Sequence, residues 1–128
     1  MACVNLVTLG ALLEYFVFIY LVGKARADYG VKAPAITGHE MFERYFRVQQ
    51  NTLELLIAFV PALWIAAQYW NPTWMAAIGA VFLIGRLLYL RGYVSDPKGR
   101  SLGFMLSAVP ILVLVGAGVV GAVRALLA

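Results

Sequence analysis

Arginine recurs in this chain at spacings that suit anion chemistry. If residues 44–54 are helical, Arg44, Arg47, Asn51 and Glu54 fall within an arc of about 80°. Arg86, Tyr89 and Tyr93 occupy an arc of about 60° by the same geometry. A guanidinium fork binds a carboxylate in bidentate fashion, while Glu54 suits an ammonium and Asn51 an amide. Arg100 follows the turn Asp96-Pro97-Lys98-Gly99 and precedes or opens a helix, so its charge converges with the positive end of a helix dipole. Nearby cations lower the pKa of a thiol, about 8.5 in isolation, and lowering it by two units takes about 2.7 kcal/mol of thiolate stabilisation. A small polyanion with an amine and a thiol fits this set, and glutathione carries those groups. In the plainer reading, Glu43 and Glu54 neutralise Arg44, Arg47 or Arg86 and lock the helices. That reading leaves positive charge over, because basic residues outnumber acidic ones around these stripes.

The elements that position these residues are apolar helices. Of 128 residues, 63% are hydrophobic and 12% charged, against roughly 45–50% apolar and 25% charged in soluble domains. A small soluble fold leaves too much surface exposed to hide that apolar content, so lipid is the expected solvent. Four helices are predicted, at about 3–25, 38–69, 73–94 and 101–127, in a single domain covering 1–128. The fold class is all-α, an integral membrane up-down four-helix bundle. Lys24 to Met41 reads as a polar loop, and Thr37 and Glu40 have capping-box spacing before the second helix. Only Leu55 to Ala67 of that helix is continuously apolar, so its polar first turns must leave the bilayer or face other helices. Asn71-Pro72 marks a turn flanked by Tyr69, Trp70 and Trp74, an interfacial aromatic belt. Ala117, Gly118, Gly121 and Ala122 predict close packing by the fourth helix.

Of ten Lys and Arg residues, nine lie between Lys24 and Arg47 or between Arg86 and Arg100. With four crossings those windows share a face, which the positive-inside rule makes cytoplasmic, with both termini on the other side. Ala25-Arg26-Ala27 resembles a cleavage site, but no basic residue precedes its long apolar run, so that run is expected to remain a helix. The basic residues form no nucleic-acid module. A lone cysteine, Cys3, excludes an internal disulfide or a cysteine-cluster metal site, and no metal is expected. Gly116-Ala117-Gly118-Val119-Val120-Gly121 matches a dinucleotide fingerprint, yet lies inside a membrane helix, where glycines serve packing. His39 is expected to be solvated or to cap a helix. Glu14 is expected to be a buried partner or a proton-relay group.

Phe42-Glu43-Arg44, followed by Arg47-Val48-Gln49-Gln50-Asn51-Thr52-Leu53-Glu54, resembles the second-helix signature of the MAPEG family, the membrane-associated proteins in eicosanoid and glutathione metabolism. Arg86-Leu87-Leu88-Tyr89-Leu90-Arg91-Gly92-Tyr93 resembles its third-helix signature. The resemblance covers essentially the whole chain, and Asn51-Thr52-Leu53-Glu54 looks most like the branch of microsomal glutathione transferases and leukotriene C4 synthase. It implies a homotrimer with glutathione as co-substrate, held between subunits near the cytoplasmic face. By position, Arg47, Asn51, Glu54, Tyr89 and Tyr93 bind glutathione from one subunit, and Arg26 and Gln49 reach it from the next. Arg86 shapes the site, and Arg100 matches the arginine assigned to thiolate activation. Leu55 stands where leukotriene C4 synthase has a tyrosine, and Ala27 where it has a second arginine. The resemblance therefore favours glutathione chemistry over leukotriene synthesis.

The expected function is that of a membrane-bound glutathione transferase, with glutathione peroxidase activity toward lipid hydroperoxides as a related capacity. Its partners are membrane lipid, a lipophilic small-molecule substrate and further copies of the chain, with no nucleic acid. The alternative within the same architecture is a non-catalytic lipid-binding protein. A small transporter or assembly subunit that uses the charges for ions or packing is a third reading.

Overall fold

The computed structural model describes all 128 residues and contains helices and no strand. Helix α1 spans Ala2–Tyr29, α2 Glu40–Tyr69, α3 Pro72–Ser95 and α4 Ser101–Leu127, with a short 3₁₀ turn at Pro97–Arg100 leading into α4. All four are long and apolar enough to cross a membrane. Large side chains point outward along them, Leu6 71% and Leu126 83% exposed. Such a surface is stable in lipid and would be costly in water.

Helix ends follow local chemistry. α1 continues past Lys24, where a loop was expected, because Lys24, Ala25 and Arg26 are good helix formers and Lys24 pairs with Asp28 at 3.0 Å. It stops at Gly30, whose φ of 69° is the left-handed conformation that ends helices. The capping box expected at Thr37 and Glu40 is displaced. His39 is the N-cap of α2, its Nδ1 accepting from the Met41 amide at 3.1 Å, while Glu43 accepts from the Gly38 amide at 3.3 Å. His39 thus caps, as one of its expected roles had it, and stacks on Tyr29 at 4.3 Å. At the next turn the Asn71 side chain accepts from the amides of Thr73 and Trp74, and Pro72 opens α3.

The interior is a stack of apolar side chains. The Phe59 and Phe82 rings lie 4.0 Å apart, among fully buried Val4, Leu63 and Leu114. Gly118 and Gly121 seat α4 on Ile65 and Tyr69 of α2, as the small-residue spacing predicts. The tightest approach is elsewhere, between α3 and α4. A Cβ at Gly103 would overlap the Tyr89 backbone, and one at Gly85 would sit 2.6 Å from the Leu106 carbonyl carbon. The first turns of α4 are thereby pressed onto the polar end of α3.

Candidate functional site

Where α2 begins, α3 ends and α4 begins, side chains from all three enclose a cleft of about 400 Å³. Arg47 and Asn51 line it from α2 and Tyr89 and Tyr93 from α3. Arg100 and Phe104 close it from the turn before α4 and its first helical turn. The helical spacing puts Arg47 and Asn51 on one face and Tyr89 and Tyr93 on another. The glycine contacts of α3 with α4 bring Arg100 up to both. Tyr89 packs on Tyr93 at 5.5 Å and on Phe104 at 6.4 Å, so one wall is aromatic.

Arg86 stands behind this wall. It is fully buried and donates through Nε to Ser107 Oγ at 2.8 Å and through one Nη to Asn51 Oδ1 at 2.7 Å and Thr52 Oγ1 at 3.2 Å. Its guanidinium also lies 4.4 Å over the Tyr89 ring. Because Asn51 Oδ1 accepts from Arg86, its amide nitrogen is left to donate elsewhere, and the cleft is where the side chain is accessible. Arg86 therefore orients two cleft residues without lining the cleft.

Other arginines differ in what they touch. Arg47 pairs with Glu54 at 3.1 Å, both side chains about half exposed (49% and 54%), so the pair is exchangeable and worth about 0–1 kcal/mol. Arg100 donates to the Pro97 carbonyl at 2.7 Å and remains exposed, with no acidic partner. Arg44 belongs to the predicted polar stripe but does not reach the cleft lining. It donates to the carbonyls of Val94 and Ser95 at the end of α3 and pairs with Glu40. It closes off a helix end whose carbonyls lack intrahelical partners.

Arg26 and Gln49 lie outside the cleft of their own chain. Arg26 donates to the Ala35 and Val31 carbonyls at 2.7 and 3.4 Å and covers the Phe42 ring, which secures the loop between α1 and α2. Gln49 donates to the Tyr15 hydroxyl at 2.8 Å. Glu14 keeps one carboxylate oxygen buried without a hydrogen-bond partner. Phe104, Thr52 and Ser107 were missed from sequence. Phe104 had a signal, standing one helical turn after Arg100, and Ser107 another, as an isolated polar residue in the apolar run of α4.

These features define a class: a multi-pass membrane protein of four helices with an arginine-lined cleft at one end of its bundle. The family is shown by sequence comparison. The description of the MAPEG family matches residues 4–120, and the chain belongs to that family. It is 44% identical to microsomal glutathione S-transferase 2 of Homo sapiens over 102 residues, 78% of this chain and 69% of that protein. It is 32% identical to leukotriene C4 synthase of Bos taurus over 113 residues, 88% of this chain and 75% of that protein. An uncharacterized protein of Synechocystis is 49% identical over 110 residues, 86% of this chain and 80% of its own length.

Proposed function

We propose that the protein is a membrane-bound glutathione transferase. The observation that carries this reading is the convergence of Arg47, Asn51, Tyr89, Tyr93 and Arg100 on one cleft, supported by the printed names of the mammalian relatives. The glutathione carboxylates meet Arg47 and the Asn51 amide, and Glu54 swings from Arg47 to the ammonium. The tyrosine hydroxyls position the peptide backbone. The thiol lies beside Arg100 at the start of α4, where guanidinium and helix dipole stabilise the thiolate and the proton leaves to water.

The thiolate sulfur then attacks an electrophilic carbon, forming an S–C bond as the leaving group departs with its electron pair. Apolar substrates concentrate in the surrounding lipid and approach past Phe104. The same thiolate can reduce a lipid hydroperoxide. Sulfur takes the terminal oxygen, the O–O bond breaks to give the lipid alcohol, and a second glutathione converts the sulfenic acid to disulfide and water. In the assembly we propose, a homotrimer, Arg26 and Gln49 complete the cleft of a neighbouring subunit, and the cleft faces the cytoplasm with both termini opposite.

The purified protein should conjugate glutathione to an aryl halide, and assays with a lipid hydroperoxide on the same preparation separate transferase from peroxidase activity. Glutathione binding that depends on Arg47 and Glu54, without turnover of either substrate, would instead identify a non-catalytic lipid-binding member of the family.

A further inference from the structure

The turn that carries Arg100 is built on a helix end that does not complete its own hydrogen bonds. Had α3 continued, the amides of Lys98 and Gly99 would bond the carbonyls of Val94 and Ser95. Both are turned away instead. The Lys98 amide donates to the Asp96 carboxylate at 3.1 Å and the Gly99 amide to the Asp96 carbonyl at 2.7 Å. Pro97, which has no amide hydrogen, opens the 3₁₀ turn Pro97–Arg100. Two carbonyls are thereby left without helical donors, and Arg44 supplies the replacement. One Nη donates to Val94 at 2.9 Å and to Ser95 at 3.4 Å, while the other pairs with Glu40 at 2.5 Å.

This contact joins two elements that both serve the cleft. Arg44 lies one helical turn before Arg47, which with Asn51 forms the α2 wall. Val94 follows Tyr93 of the cleft lining, and Ser95 precedes Asp96, whose carboxylate and carbonyl organise the turn. The Arg100 guanidinium is held by the Pro97 carbonyl at 2.7 Å, so its place is that of the turn. Gly92 meets the Gly99 carbonyl so closely that a Cβ on Gly92 would strike its oxygen. The turn is therefore seated on the last turns of α3, and Arg44 ties that seat to the α2 wall.

We propose that Arg44 is a positioning residue for thiol activation: by holding the Val94 and Ser95 carbonyls it sets the turn from which Arg100 reaches the sulfur of bound glutathione. Arg44 does not line the cleft, so it acts through Arg100 and not on the ligand. The inference rests on the glutathione reading and adds a residue to it. An arginine that served stability alone would leave thiol ionisation unchanged. One that acted by its own charge would do so whether or not Arg100 were present.

The test titrates the ultraviolet thiolate band of glutathione bound to the purified protein. In the wild type the midpoint should lie below the value of a free thiol, about 8.5. Arg44→Met should raise it by about one pH unit, roughly a tenfold loss of thiolate at a given pH below the midpoint. Its binding of S-methylglutathione, which has no thiol to ionise, should stay within about threefold of wild type. In the Arg100→Ala background, Arg44→Met should move the midpoint no further, because the two effects share one path. Arg44→Gln, polar but too short to span to α3, replaces Arg44→Met if the latter does not fold, with the same results expected. A midpoint unmoved by Arg44→Met, or moved equally with and without Arg100, would overturn the inference while the transferase reading stands. Loss of S-methylglutathione binding by Arg44→Met would overturn it too, by making Arg44 part of the peptide site. A wild-type midpoint at the free-thiol value with glutathione bound would overturn both.

Discussion

Arg86 and Arg100 flank the same cleft and use the same side chain in opposite ways. Arg86 is fully buried and holds Ser107, Asn51 and Thr52. Arg100 is exposed, held by a single carbonyl contact to Pro97, and faces a space that other side chains leave open. Burial makes the first a structural cation, since a charge withdrawn from water needs partners. Three side-chain hydrogen bonds through Nε and one Nη supply them, while the other Nη is buried without one. Exposure at a helix start leaves the second available to a ligand. Excess positive charge in a membrane protein is thus of two kinds, and burial among side-chain acceptors tells them apart.

The contrast breaks most visibly at the buried arginine. Arg86→Met removes three charge-assisted hydrogen bonds and strands Asn51 Oδ1, so unfolding in detergent should become easier by about 4 kcal/mol. Glutathione affinity should fall with it, as Asn51 loses its orientation. The glycine seam that brings Arg100 to the cleft is next. Gly103→Ala drives a Cβ into the Tyr89 backbone and should cost about 2–3 kcal/mol, measured by the same unfolding transition. Glu54→Gln removes a half-exposed partner of Arg47 and should change stability by less than about 1 kcal/mol, while equilibrium binding of glutathione weakens. Smallest on stability is Arg100→Ala, within about 0.5 kcal/mol of wild type. A destabilisation by Arg100→Ala as large as that of Arg86→Met would erase the distinction.

Much of this arrangement was legible in the residues. The turn at Asp96-Pro97 and the run beginning at Ser101 placed Arg100 at a helix start. Helical spacing put Arg47 with Asn51 and Tyr89 with Tyr93. The end of α1 was not legible from hydropathy, because Lys24, Arg26 and Asp28 interrupt an apolar run without interrupting a helix. Neither was the division of labour among arginines. Arg44 and Arg47 are one turn apart on the same stripe, and only the approach of the α3 C-terminus decides that Arg44 meets carbonyls while Arg47 meets the cleft. Gly85 and Gly103 carried no sign of their role, since a close approach of two backbones depends on the partner helix.

The central claim is that Arg100 holds a thiolate. Adding glutathione to the purified protein at neutral pH should produce the ultraviolet absorption of a thiolate, and Arg100→Ala should abolish that band while the protein stays folded and still binds glutathione. An undiminished band in Arg100→Ala, or no band in the wild type with glutathione bound, would contradict it.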